Sequence, residues 1–299
     1  MNNYFELEIS INPDMEEIVS DIFFTNFDCE GVVLEEETYK DLEMTSTTRG
    51  KLRVFLTSYP TNLNEILSTE RELMKSRGLS DEDLGNWEIT LDEKENQDWS
   101  KKWKEKWTVT HVTDRIAVVP SWLKYKPKEG EITITLDPGC AFGTGTHQTT
   151  QLCMKALEKY LKDGDSVADI GTGSGILAIL AKKLGGGKVY GCDNDETVID
   201  VCIKNAEVNG IKDIVFELNT ADRIAEKYDF VCANILHFVL AEIMGDLKNI
   251  MKPNGLMSLS GILYEKKEMV LEAIEREHLE IVDTIEQNQW ISYVVKSKN

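Results

Sequence analysis

The chain has 299 residues, 41% hydrophobic and 29% charged, a globular composition with room for one large or two ordinary cores. Its net charge of −20 is uneven, because residues 1–98 hold 24 Asp and Glu against 8 Lys and Arg. Such a field disfavours nucleic acid and attracts basic partners, or merely keeps a surface solvated. There is no apolar run of membrane-spanning length, and the start MNNYFELEIS lacks the regions of a secretion signal, so a cytoplasmic protein with no membrane partner is expected. None of the six cysteines forms a C-x-x-C pair, which predicts reduced thiols, with no structural metal and no disulfide framework.

The first ninety or so residues switch between strand and helix periods. Phe5, Leu7, Ile9 and Ile11 alternate as in a strand. Asn12-Pro13 then offers an N-cap and first-turn proline to a helix carrying Met15, Ile18, Val19, Ile22 and Phe23. The stretches GVVLEEE and KLRVFLTSYP read as strands. A helix with Leu63, Ile66, Leu67, Leu73 and Met74 comes next, then a strand with Trp87, Ile89 and Leu91. The order β-α-β-β-α-β is that of a small ferredoxin-like α+β domain, assigned to residues 1–93.

Residues 94–108 predict a connector helix. Trp99, Trp103 and Trp107 recur every fourth residue, so their indoles share one face, suited to packing on a neighbouring domain or, less simply, to a ligand. Residues 109–299 are assigned to a third segment, the larger domain. Within it, LDPGCAFGTGTHQTT (Leu136–Thr150) is too polar and too rich in glycine for a core. It reads as a ligand loop, because glycines let backbone approach a bound molecule.

From Asp165 strands and helices alternate, which predicts a doubly wound, mostly parallel sheet, and LEIVDTIEQNQWISYVVK closes it with an antiparallel hairpin. In VADIGTGSGIL a strand ends at Asp169-Ile170 and the chain turns through Gly171, Gly173 and Gly175 into a helix. The third glycine falls one place too early for a dinucleotide fingerprint, and NAD is demoted. The next strand ends at Asp193, whose carboxylate could accept both hydroxyls of an adenosine ribose. Together with the closing hairpin this reads as an S-adenosylmethionine (SAM) site. Tight-turn glycines and a helix-capping Asp193 are the plainer alternative.

Asn234, in VCANIL, leaves the fourth strand at its carboxyl edge. Its amide oxygen could aim an amine at a methyl carbon, or it could cap the following helix. Asn234 is thus the candidate catalytic residue. His147 and His237 are read as scaffold in preference to general bases, and no Walker lysine follows the loop.

The segments DPGCAFGTGTHQTT, ADIGTGSGILAI, GCDND, ANIL and VPSW (Val119–Trp122), in their order and spacing, resemble the bacterial ribosomal protein L11 methyltransferases over essentially the whole chain. The resemblance implies a class I SAM-dependent methyltransferase fold. It also implies N-methylation of lysine side chains and of the N-terminal amine of L11, substrate recognition by the first domain, and a connector that lets the catalytic domain reposition. Thr150, Gly171, Gly173, Asp193 and Asn234 are the implied cofactor contacts, and a monomer is expected. The chain departs from the family pattern at Gln148 (usually proline), Thr172 (commonly cysteine), Cys192-Asp193-Asn194 and His237-Phe238; the last pair borders the implied acceptor pocket. Methylation of another protein or a small amine, and a SAM-binding or ribosome-associated module without turnover, are the alternatives.

Overall fold

The computed structural model describes residues 4–36, 50–94, 107–136 and 143–298. They fall into two compact units that meet in sequence between Thr108 and Val109. Residues 95–106, most of the connector with Trp99 and Trp103, lie outside the described residues, as do 137–142 of the ligand loop.

The first unit runs β1 (Tyr4–Ile11), α1 (Glu16–Asn26), β2 (Cys29–Glu36), β3 (Gly50–Leu56), α2 (Leu63–Ser76), a short α3 (Asp81–Leu84) and β4 (Ile89–Lys94). Its four strands form one sheet ordered β2-β3-β1-β4, antiparallel throughout, which is the split βαβ arrangement of a ferredoxin-like fold. Alternation drives it. Leu7, Ile9 and Ile11 of β1 and Leu52 and Val54 of β3 are buried with Val19 and Phe23 of α1 and Leu67 and Met74 of α2.

Three local readings are corrected. Asn12-Pro13 opens a 3-10 turn (Pro13–Met15), and α1 begins only at Glu16 without a side-chain cap. The short α3, not anticipated, is held by a capping box in which Ser80 and Asp83 bond reciprocally. Trp87 precedes the last strand; its φ is 54°, and its indole N–H donates to the Leu84 carbonyl at 2.9 Å.

The second unit opens with β5 (Thr110–His111), β6 (Ile116–Pro120) and β7 (Ile132–Leu136), a small sheet of their own. Then come α4 (Gln148–Tyr160), β8 (Val167–Ile170), α5 (Ile176–Lys183), β9 (Val189–Asp193), α6 (Glu196–Val208), β10 (Ile214–Leu218), β11 (Tyr228–Asn234), α7 (His237–Asn249), β12 (Met251–Leu263), α8 (Lys267–Arg276), β13 (Leu279–Gln287) and β14 (Trp290–Ser297). Seven of these strands form one sheet, ordered β10-β9-β8-β11-β12-β14-β13. Only β14 runs against the others. This is the class I methyltransferase fold.

Successive residues of β11 feed opposite faces. Phe230 and Cys232 join the core layer of α4 and α5, whereas Val231 and Ala233 join that of α7 and α8. The helix α7 stops at Asn249. The register of β11 on β12 then jumps from Tyr228↔Met251 to Phe230↔Leu256, a bulge around Pro253, which has no N–H to give the ladder. No described helix is long and apolar enough to cross a membrane.

Candidate active site

Strand order reverses beside β8, with β9 on one flank and β11 on the other, so a crevice opens at the carboxyl ends of β8 and β11. Out of β8 the chain turns through Gly171, Gly173 and Gly175 at φ of 69°, 52° and 81°, a region side chains avoid. The N–H groups of Gly171 and Thr172 both donate to the Cys192 carbonyl at 2.9 Å. The Gly173 N–H donates to Asp193 Oδ2 at 3.0 Å.

Asp193 ends β9 at the same edge. Its Oδ1 accepts the Asp195 N–H at 3.2 Å, and burial pushes its pKa up. The cap of α6 is Asp195, which accepts the Thr197 N–H, so Asp193 is not the helix cap. A carboxylate has about four acceptor positions. Positions beyond its backbone donors, Gly173, Asn194 and Asp195, are the ones a ligand hydroxyl would use.

At the end of β11, Asn234 Nδ2 donates to Thr150 Oγ1 at 3.1 Å, both side chains being buried. Asn234 Oδ1 is buried with no partner among the described residues. The capping alternative for Asn234 does not hold, because the N-cap of α7 is Leu236, with no side-chain bond. Ile235 is wedged in place: a Cβ on Gly171 would lie 2.4 Å from Ile235 Cγ2, and one on Gly261 2.1 Å from the Ile235 carbonyl oxygen. Asn234, Thr150, Gly171, Gly173 and Asp193 thus gather at one sheet edge.

The described part of the ligand loop is tied down on several sides. Ser174 Oγ donates to the Gly143 carbonyl at 2.6 Å, and Ser260 Oγ to the Thr149 carbonyl at 2.9 Å. His147 is the N-cap of α4, its Nδ1 accepting from the Thr149 N–H at 3.3 Å, and its ring meets Trp290 edge to face at 4.8 Å. That is the scaffold role. His237 and Phe238 sit buried in the first turn of α7, rings edge to face at 5.4 Å.

Asp169 was missed by the sequence reading. Fully buried beneath the glycine turn, its Oδ2 accepts from Thr172 Oγ1 at 2.7 Å and from the Ala178 N–H at 3.2 Å. Oδ1 has no partner among the described residues, and burial pushes the carboxyl up to about 7. A lone acid in the otherwise apolar strand VADI was the available signal. Ser260 gave none. Burial holds the Cys153 and Cys192 thiols protonated, up to about 12 each, and none of the described cysteines is in a disulfide. No group of three metal-ligating side chains occurs among the described residues.

The family model for ribosomal protein L11 methyltransferase (PrmA) matches residues 3–298. The chain belongs to this family. Among its L11 methyltransferase relatives, the one from Caldanaerobacter subterraneus subsp. tengcongensis is 34% identical over 99% of both chains. The one from Acetivibrio thermocellus is 40% identical over 79% of this chain and 75% of its own. A crystal structure of ribosomal protein L11 methylase from Lactobacillus delbrueckii subsp. bulgaricus aligns at a TM-score of 0.62 with 34% identity, covering 64% of this chain and all of that one.

As a member of the L11 methyltransferase family the chain is a SAM-dependent methyltransferase. The residues present suit that donor. A glycine turn brings bare backbone to the crevice, a buried carboxylate ends the neighbouring strand, and an unmatched amide oxygen lies across from it on β11. Of the departures from the family pattern, Thr172 is absorbed locally by its bond to Asp169.

Proposed function

We propose that this chain methylates ribosomal protein L11, at lysine side chains and at the N-terminal amine, with SAM as donor. The observation that carries the amine assignment is Asn234: its NH2 is committed to Thr150 while its buried Oδ1 lacks a donor. An acceptor in that position, with an N–H to receive, suits an incoming amine better than a carboxylate or a thioether.

In this reading Gly171 and Gly173 give the cofactor backbone contact, Asp193 accepts the ribose hydroxyls, and Thr150 and Asn234 flank its methionine end. The cofactor supplies an electrophilic methyl group on a sulfonium. Asn234 Oδ1 accepts one N–H of the acceptor amine and fixes the direction of its lone pair, which is positioning rather than proton transfer. A lysine ammonium loses its proton first, a step costing about 4 kcal/mol near pH 7.5. An amide cannot take that proton. Exclusion of water around the buried Asn234 favours the neutral amine, and solvent receives the proton.

Residues 1–93 serve as the docking domain, 94–108 as connector and 109–299 as catalytic domain. The charge of the first 98 residues, net −16 from 24 acidic and 8 basic side chains, supports a basic protein substrate. Incubating purified, unmethylated L11 with the enzyme and SAM tests the reading by intact mass, with Asp193→Ala as control. Added multiples of a methyl mass, absent in the control and mapped to lysines and the N-terminus, are expected. An unchanged mass despite SAM binding overturns the substrate assignment.

A further inference from the structure

The closing hairpin reaches the cofactor loop through a chain of hydrogen bonds that the family motifs do not include. Gln151 lies one residue after Thr150. Its Nε2 turns back to donate to the Thr146 carbonyl at 2.8 Å and, more weakly, to the Gly145 carbonyl at 3.4 Å. Its Oε1 accepts from Gln287 Nε2 at 2.9 Å. Gln287 Oε1 in turn accepts from Lys155 Nζ at 2.6 Å. The relay starts on an ammonium, so both amides are oriented: flipping either would set an NH2 against a donor or an oxygen against an oxygen.

Gln287 is the last residue of β13 and pairs directly with Trp290, the first of β14. The turn between them holds Asn288 at a φ of 53°, a tight hairpin conformation that asparagine tolerates. Trp290 is the second point of contact, through its ring on His147. One hairpin tip therefore touches the loop at Gly145 and Thr146 through Gln151 and at His147 directly. Immediately beyond lies Thr150, bonded to Asn234.

We propose that the β13–β14 tip is a strut that sets the cofactor loop, with Gln151 and Gln287 as positioning residues for SAM binding and methyl transfer. This rests on the site reading above. Neither glutamine needs to touch cofactor or substrate: their relay fixes the carbonyls of Gly145 and Thr146, and with them the first turn of α4.

The test uses the full chain and four variants, Gln151→Ala, Gln287→Ala, the double, and Gln287→Glu. Asp283→Ala serves as control, since it cuts a different tie between α4 and β13, the bonds from Lys159 and Tyr160 to Asp283 at 2.7 and 2.8 Å. SAM affinity is read by titration calorimetry, turnover on L11 by methyl incorporation, and stability by thermal midpoint. Each single alanine variant is expected to weaken SAM binding about three- to tenfold, the scale of one net hydrogen-bond contribution. The double should be no worse than either single, because the links act in series. Gln287→Glu keeps a partner for Lys155 but cannot donate to Gln151, so it should match the alanine variant rather than rescue it. Asp283→Ala should lower the midpoint while leaving SAM affinity unchanged.

Parental affinity and turnover in both single variants, multiplicative losses in the double, or an equal loss in Asp283→Ala would each overturn the strut. Asn234→Ala separates the two levels. If it abolishes turnover while the glutamine variants behave as parent, only the strut fails; if it too turns over normally, the site reading fails.

Discussion

Asn234 and Thr150 stand 84 residues apart in sequence and 3.1 Å apart in space, the amide NH2 donating to the hydroxyl inside the protein. The bond fixes which end of the amide is left over. Thr150→Val keeps the shape and removes the acceptor, so the buried NH2 loses its partner at a cost of about 1–3 kcal/mol, and the amide is freed to rotate. Turnover should fall by about 10²-fold, the scale of an ångström-level misplacement, with SAM affinity changed much less. Thr150→Ser, which restores the oxygen, should recover most of the rate. Steady-state kinetics on L11 check both, and a Thr150→Val enzyme with parental kcat would remove Thr150 from the positioning of Asn234.

Ile235 is held between two glycines by different atoms, which makes a selective rescue possible. A Cβ at Gly171 meets the side chain of Ile235, at 2.4 Å from Cγ2, whereas a Cβ at Gly261 meets its backbone, at 2.1 Å from the carbonyl oxygen. Both glycines have positive φ, 69° and 88°, so alanine at either carries about 1–2 kcal/mol of left-handed strain besides the clash. Gly210→Ala, at φ 73° with nothing within 4 Å, should show the strain alone. Trimming Ile235 to alanine should relieve Gly171→Ala to the level of Gly210→Ala and leave Gly261→Ala severely destabilised. Urea unfolding of the single and double variants decides it; equal rescue of both would place the Gly261 conflict in the side chain.

The sequence made the parallel sheet and its glycine turn legible because each depends on local signals: apolar runs of strand length, glycines at the strand end, an acid at the tip of the next. Thr150 and Asn234 could be nominated separately. Their bond could not, since nothing in a sequence separation of 84 encodes a contact across the sheet edge. Asp169 was hidden for the opposite reason: its neighbours Val167, Ala168 and Ile170 are all buried, so it reads as an interruption in a core strand rather than as a site. Helix starts were the least legible, as at Asn12-Pro13, where a 3-10 turn intervenes before α1, and at His147, whose ring rather than an oxygen caps α4.

Asp193 has two tasks that a mutant series can separate. It accepts backbone N–H groups of Gly173 and Asp195, and in the proposed site it also receives ribose hydroxyls. Asp193→Asn retains one acceptor oxygen and sets an NH2 in place of the other; Asp193→Ala retains none. SAM affinity should fall about tenfold in the first and 10²-fold or more in the second, the losses of roughly one and two charge-assisted hydrogen bonds. S-adenosylhomocysteine should lose affinity in parallel, because it carries the same ribose. Methylthioadenosine, with the ribose but without the amino-acid end, should follow the same ratios; if its binding is indifferent to Asp193, the carboxylate serves the glycine turn only.

Asp169 gives the enzyme a stability that falls with pH. Burial raises its carboxyl from an ordinary 3.8 to about 7, so between those values the folded chain holds a proton that the unfolded chain has released. Where the native state binds the extra proton, unfolding free energy drops as pH rises, by about 1.4 kcal/mol per unit, and the slope vanishes above the folded pKa. Asp169→Asn cannot titrate. Its oxygen can serve Thr172 and the Ala178 N–H as Oδ2 does now, while its NH2 takes the position of the unmatched Oδ1. The difference in unfolding free energy, parent minus variant, should therefore be larger at pH 5 than at pH 8 by about 2–3 kcal/mol, and constant from pH 8 to 9. Urea titrations of both proteins at these three pH values measure it, with titrating groups that do not interact with Asp169 cancelling in the difference. A difference that does not change with pH would mean that Asp169 is already ionised in the fold at pH 5.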